Sequence, residues 1–316
     1  MSQSIELRHL RYFAAVAEEL HFGRAAERLG IAQPPLSQQI KSLEAMVGCP
    51  LFERRPQVRL TTAGEALLEV ARRTLAQVEE GLELTRRAGR GEAGRITVGF
   101  AASILTTALP EILRAYREQY PGVELRLREL SSAAQAAALA DGSIDVGFVR
   151  EAVVQGPDLI CEPILREEFM AVLPPAHPLG GREQLPLIDI AGEPFVHFPR
   201  AVAPALFDQI ADACGRAGFQ PRVVQEAQEW LTILGLVEAG LGVSLVPASF
   251  SRLRWGGVQY RALGPPREFT DVFVCFRAAA LAPAVAPLIA IARSTTSAHS
   301  QSTEPGHALL EKGGAG

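Results

Sequence analysis

Between Phe22 and Thr61, two short helical patterns, a turn and a charged hairpin follow one another within forty residues. No other stretch constrains the chain as much, because each piece has an apolar side that only the others can cover. The run Gly23-Arg24-Ala25-Ala26-Glu27-Arg28-Leu29-Gly30 places Ala25, Ala26 and Leu29 on one helical face and Gly30 where a helix stops. The run from Pro34 to Gly48 opens with proline where a helix tolerates it and sets Leu36, Ile40, Leu43 and Val47 on one stripe. Gln33, Ser37, Gln38 and Lys41 fall on or near the other face. Upstream, Leu7, Leu10, Phe13, Val16 and Leu20 predict a helix over 6–20 that packs under the pair. Downstream, Leu51 to Thr61 reads as two short strands around a turn, with Arg54, Arg55 and Arg59 available to phosphates. The pattern is that of a winged helix-turn-helix. Its second helix is fixed by the apolar stripe and turns amides and hydroxyls toward the bases of double-stranded DNA.

Bulk charge adds little to this reading. Residues 1–65 hold eight basic and seven acidic side chains, and the whole chain carries a net charge of −4. A broadly basic footprint is therefore excluded, and any attraction to DNA must come from locally placed arginines. All but Lys41 and Lys312 of the 31 basic residues are arginine, a bias that fits a GC-rich genome better than a binding role.

Five pieces in order carry a family resemblance: Leu10 to Ala17, Phe22 to Leu29, Gln33-Pro34-Pro35-Leu36-Ser37, Pro50-Leu51-Phe52-Glu53-Arg54 and Leu60-Thr61-Thr62-Ala63-Gly64. Together they resemble the N-terminal domain of LysR-type transcriptional regulators. The resemblance implies DNA contacts at Gln33, Pro34, Pro35, Ser37 and Gln38, with Arg54 on the backbone. Many relatives carry arginine just after the serine, where this chain has Gln38 and Gln39. A neutral amide contact then replaces a charged one.

A chain of 316 residues is too long for one core. Hydrophobic residues at 48% and charged residues at 21% are globular values. No signal segment or run of about 20 apolar residues occurs, so a soluble cytoplasmic protein without a membrane partner is expected. Cys49, Cys161, Cys214 and Cys275 stand far apart. Neither a zinc site nor a disulfide framework is indicated, and all four read as buried small hydrophobes, with redox sensing by one left open.

From Thr62 to about Arg87 a helix without proline carries Leu67, Ala71, Leu75, Val78 and Leu82 at steps of three and four. This reads as a coiled-coil seam that pairs two copies and sets two recognition helices on a near-palindromic operator. The alternative is a helix buried on its own effector domain. Three glycines between Gly89 and Gly94 then break the helix as a hinge.

Beyond the hinge, strand and helix patterns alternate. Strands are predicted at 95–100, 123–130, 144–150, 169–173, 195–198, 223–225, 243–246 and 272–277, and helices at 105–120, 133–141, 205–217 and 230–239. Two such lobes joined by two crossings give the architecture of periplasmic-type solute receptors, with a ligand between the lobes at strand carboxyl ends and helix starts. Ala101-Ala102-Ser103 and Ser131-Ser132 are the loops so placed, although serine at a helix start is often only a cap. Regulators of this family that respond to aromatic-catabolism acids use a site at these loops. Matched by position, the resemblance implies Ser103, Ser132, Pro204 and Leu206, with Phe207 as a neighbour.

His177 reads as structural and His197 as a core or pocket residue. No nucleophile elbow, phosphate loop or dinucleotide fingerprint is present, and neither a cofactor nor a metal is expected. The domains are thus 1–61 (winged helix-turn-helix, mainly α), 62–88 (linker helix), 89–94 (hinge), 95–293 (two-lobed α/β effector domain) and 294–316 (a tail without regular structure). The expected protein is a ligand-responsive transcriptional regulator, a homodimer or homotetramer, that senses a small organic acid and alters promoter binding or bending. A solute-binding receptor or an α/β enzyme with an appended helix-turn-helix are the alternatives.

Overall fold

The computed structural model describes residues 4–151, 158–279 and 281–302. It divides into two compact units, one up to Arg87 and one from Ala88 onward.

The first unit contains α1 (Leu7–Glu19), α2 (Phe22–Arg28), α3 (Gln33–Val47), β1 (Phe52–Glu53), β2 (Arg59–Leu60) and α4 (Thr62–Gly89). Gly30 and Gly48 take positive φ of 66° and 81° just past α2 and α3, the left-handed turn that glycine enters without strain. Pro34 and Pro35 occupy the first turn of α3, where no N–H is missed. Leu10, Phe13, Val16, Ala25, Leu36, Ile40, Leu43, Leu51 and Ala71 close one core. Three residues of the predicted stripes lie outside it: Leu7, Leu20 and Val47 are exposed at helix ends, where no neighbour remains to cover them. Strands β1 and β2 pair antiparallel, Phe52 opposite Leu60, to form the wing.

Helix α4 divides the role expected of its stripe. Ala71 is fully buried, and Leu67 and Leu75 pack with it on the core of their own helix-turn-helix. The first half of the stripe is thus part of the domain's own packing. Only the second half, from Val78 on, is left for a seam, and there Leu82 and Leu84 are exposed.

In the second unit the order is β3 (Gly94–Phe100), α5 (Leu109–Gln119), β4 (Val123–Glu129), α6 (Ser132–Ala140), β5 (Val146–Val149), β6 (Leu159–Leu173), β7 (Gln184–Leu185), β8 (Pro194–His197), α7 (Pro204–Arg216), β9 (Arg222–Glu226), α8 (Trp230–Glu238), β10 (Ser244–Pro247), β11 (Gln259–Leu263), β12 (Phe269–Arg277) and α9 (Val285–Ser302). Strands β4, β3 and β5 run parallel, as β-α-β repeats require, and β12 joins them antiparallel. The long β6 belongs to both lobes: residues 159–168 pair with β12, and 169–173 pair with β11 and β10. Each lobe has its own core, one around Val98, Phe148, Val274 and Leu288, the other around Phe169, Phe195, Leu234 and Val246.

Several expectations are corrected. Cys161 and Cys275 are bonded to each other, because β6 and β12 bring them opposite one another with Cα atoms 4.1 Å apart. Spacing along the chain cannot reveal such a pair. Cys214 is a buried free thiol as expected, its pKa pushed up to about 12 by burial. Helix α9 continues through Ser302, so residues 294–302 are helical rather than irregular, with Thr296 buried and bonded to the Ala292 carbonyl at 2.8 Å. The remainder of the expected tail lies outside the described residues. In the proposed hinge, Gly91 and Ala93 are buried in the second unit.

Candidate functional site

The first candidate surface is the outer face of α3. Leu36, Ile40 and Leu43 are sealed in the core, which leaves Gln33, Pro34, Pro35, Gln38 and Lys41 exposed and Ser37 half-buried along the other side. The predicted residues therefore share one face of one helix, beginning at its N-terminal turn. Arg55 and Arg59 are exposed on the wing. Arg54 is held differently: its guanidinium donates to Glu44 Oε2 at 2.9 Å and lies 5.5 Å from the Phe22 ring centre. Glu44 Oε1 accepts from the amides of Leu51 and Phe52 at 2.9 and 3.3 Å. Sequence reasoning placed Arg54 on DNA alone and missed Glu44, whose role shows only once the wing folds back beside α3.

The second candidate surface is a cavity of about 420 Å³ between the lobes of the effector unit, lined by Ser103, Glu129, Ser131, Ser132, Arg150, Glu151, Leu206, Glu229 and Trp230, among others. It lies at the carboxyl ends of β3, β4 and β5, as the rule for open α/β sheets requires. Ser103 is on a short 3₁₀ helix after β3, and Ser132 is the first residue of α6. The cap of α6 is Ser131, whose hydroxyl accepts from the Ala134 amide at 3.3 Å, so Ser132 Oγ is not needed as the cap. Leu206 is buried at the cavity wall, whereas Pro204 starts α7 outside the lining. Phe207 turns into the core of the second lobe, with its ring centre 4.8 Å from that of His197.

Below the cavity sits a group that the sequence did not disclose. Arg150, just past β5, is 3% exposed and donates to Glu167 Oε1 at 2.6 Å, to Ser103 Oγ at 3.1 Å and to Ser249 Oγ at 3.4 Å. Glu167 Oε2 in turn accepts from the Ser249 amide at 2.8 Å. One buried ion pair thus joins the cavity floor, the crossing strand β6 and a 3₁₀ helix of the second lobe. Such a pair is worth little as net stability but costs about 3–5 kcal/mol to break from one side. A charged residue ending a strand as apolar as Val146–Val149 was the available signal. Nearby, Gln135 Nε2 donates to the carbonyls of Leu130 and Phe148 at 3.0 and 3.3 Å, fixing the loop ends of the floor. A Cβ on Gly147 would stand 2.6 Å from Gln135 Oε1, so a larger residue there would have to push this amide aside.

The two histidines are structural. His177 Nδ1 accepts from the Leu179 amide at 3.3 Å. His197 Nδ1 accepts from the Phe198 amide at 2.8 Å, and burial holds its pKa down at about 4. Among the described residues no cluster of metal-ligating side chains occurs, and no helix is long and apolar enough to cross a membrane.

Comparison with known proteins recognises both modules. Residues 7–65 match the bacterial regulatory helix-turn-helix of the LysR family, and residues 89–297 match the LysR substrate binding domain. The chain is 41% identical over 274 residues to the transcriptional regulator AlsR of Bacillus subtilis, spanning 86% of this chain and 90% of that one. Its fold is similar to the crystal structure of CbnR, a LysR family regulator, with a TM-score of 0.83 and 30% identity over 92% of this chain and all (100%) of that one. It is also similar to full-length CbnR complexed with its target DNA, with a TM-score of 0.82, 29% identity and the same coverage, 92% and 100%. Both modules are those of regulators and neither is that of an enzyme. The chain belongs to the LysR family of transcriptional regulators, proteins that bind DNA through the N-terminal domain and answer to a ligand through the C-terminal one.

Proposed function

We propose that this regulator senses a small organic acid held in the cavity between its lobes and reads a near-palindromic operator as a homodimer or homotetramer. The observation that carries the ligand reading is that the hydroxyls of Ser103 and Ser132 border one cavity, above the buried guanidinium of Arg150. Ser103 accepts from Arg150, which leaves its own proton to donate to a carboxylate oxygen. The apolar wall of Leu206 and Trp230 suits the body of such an acid. On DNA, Gln33, Pro34, Pro35, Ser37, Gln38 and Lys41 meet the major groove, and Arg54 and Arg55 meet flanking phosphates. The ligand acts by binding one lobe arrangement more tightly than the other.

The test is isothermal titration of the full-length protein against a panel of mono- and dicarboxylic acids, followed by operator binding with and without the acid that binds. Ser103→Ala is expected to weaken binding about tenfold or more, because a hydrogen bond to a charged group is worth about 1.5–3 kcal/mol. An acid whose affinity is indifferent to both serines would place the ligand elsewhere.

A further inference from the structure

Cys161 and Cys275 face each other across the antiparallel pair of β6 and β12, on the side of the sheet that α6 covers. The two differ in access. Cys275 is fully buried in a cluster with Ala138 and Leu139 of α6, Ile144 and Val149, whereas Cys161 packs at the margin of that cluster and is only half-buried. Between Cys161 and the lobe crossing, β6 carries Pro163, which has no N–H, and a bulge at Ile164, where the register slips between Val272 and Phe273. The end of β6 that holds Cys161 is therefore paired less continuously than the rest, and the disulfide is its covalent tie to β12. The cluster under α6 reaches the ligand cavity at two places: α6 begins with Ser132, and Val149 precedes Arg150, and both Ser132 and Arg150 line the cavity. Cys214 is buried in the second lobe and Cys49 belongs to the first unit, so Cys161 and Cys275 are the only cysteines of the first lobe.

We propose that the bond between Cys161 and Cys275 is a reversible exchange site for small thiols of the glutathione class, and that α6 passes its state to the ligand cavity. An incoming thiolate attacks Sγ of Cys161, the cysteine that is partly open to solvent. The bond between the two protein sulfurs breaks, its electron pair passes to Sγ of Cys275, and that sulfur takes up a proton. A second thiolate attacks the small thiol's own sulfur in the mixed disulfide, which frees Cys161 as a thiolate, itself then protonated, and releases a small-molecule disulfide. Two small thiols are thereby oxidised to one disulfide, and the protein disulfide is reduced to two thiols. Burial makes Cys275 a reluctant leaving group, so exchange runs over minutes to hours. Once parted, the two sulfurs need van der Waals rather than bonding distance, inside a close-packed cluster. The helix over that cluster loosens, and Ser132 at its head loses its fixed place.

The experiment holds the full-length protein in buffers of varied ratio of reduced glutathione to glutathione disulfide, traps free thiols by alkylation and maps them by peptide mass. Cys161 and Cys275 are expected to open and close together as the ratio changes. A bond that stays closed in excess reduced glutathione until the protein unfolds, or thiols that stay free in excess glutathione disulfide, overturns the proposal. Brief treatment of the reduced protein with glutathione disulfide, alkylated at once, is expected to leave glutathione on Cys161 and none on Cys275; the label on Cys275 overturns it. Cys275→Ala, checked for cooperative melting, should hold the mixed disulfide on Cys161 for want of the thiol that resolves it. Hydrogen–deuterium exchange reads the link to the cavity: the amides of α6 are expected to exchange about tenfold or more faster in the reduced protein, and those of α7 in the second lobe at the same rate in both states. Equal rates in α6 overturn the proposal. Each of these readouts is made without a ligand, so the outcome is separate from that of the acid titration.

Discussion

Glu44 on α3 holds Arg54 of the wing at 2.9 Å with one carboxylate oxygen and the Leu51 and Phe52 amides with the other, so a single side chain joins the recognition helix to the hairpin beside it. The ion pair itself is half-exposed on the arginine side and worth at most about 1 kcal/mol. The bonds to the two amides carry more. Glu44→Ala is expected to lower the stability of the first unit by about 1–3 kcal/mol in urea unfolding. It should also weaken binding to every DNA sequence, because the wing loses its fixed position.

Base reading and phosphate holding are expected to separate on this surface. Gln33 stands exposed at the start of α3, and Gln33→Ala is expected to cost about 1–3 kcal/mol on the specific operator and little on a scrambled duplex. Arg55→Ala should weaken both duplexes alike and flatten the salt dependence. Titrations at several salt concentrations distinguish them. Equal losses on the two duplexes for Gln33→Ala would sink the base-reading role.

Along α4 the two halves of the apolar stripe should respond differently. Leu82 is exposed, so Leu82→Asp is expected to leave the helix content of a fragment of residues 1–90 nearly unchanged while dissociating its dimer in analytical ultracentrifugation. Leu75 packs on the fragment's own core, and Leu75→Asp should lower its stability by several kcal/mol whatever the assembly. A Leu82→Asp fragment that remains dimeric would show that pairing does not use this face.

His197 gives the second unit a pH response of defined sign. Its pKa is lowered from 6.5 to about 4 by burial. Above pH 6.5 both folded and unfolded chains hold it neutral; between there and about pH 4 only the unfolded chain takes up a proton. Stability should fall across that window by up to about 3 kcal/mol and not change above it. His197→Phe is expected to remove this part of the slope, and an unaltered difference between pH 7 and pH 4.5 melts, at about those values, would refute the assignment.

The helix-turn-helix was legible because its signals are local: the stripe Leu36, Ile40, Leu43 and the stops at Gly30 and Gly48 lie within single elements. The alternating strands and helices of the effector unit were read for the same reason. The short β7 and the half-buried β11 were not, since neither is apolar enough to stand out. The length of β6 escaped because its first ten residues carry polar groups at a lobe edge. Ser103, Ser132 and Leu206 were reached from loop position and resemblance. Arg150, Glu167, Ser249 and Glu151 were not, because their meaning lies in partners up to 99 residues apart.

The shared strand β6 has a further consequence for how the chain is made. All of the buried core of the second lobe falls within residues 169–263, one unbroken stretch. The core of the first lobe draws on residues 96–148 and again on 272–292. On the ribosome, therefore, the lobe that begins first finishes last: β3, β4 and β5 emerge early but wait for β12 and α9 to close their core, while the later lobe can complete itself in the meantime. During that interval the edge of β5 that pairs with β12 is open. A truncation before β12 would leave the second lobe its whole core and deprive the first of one side of its own.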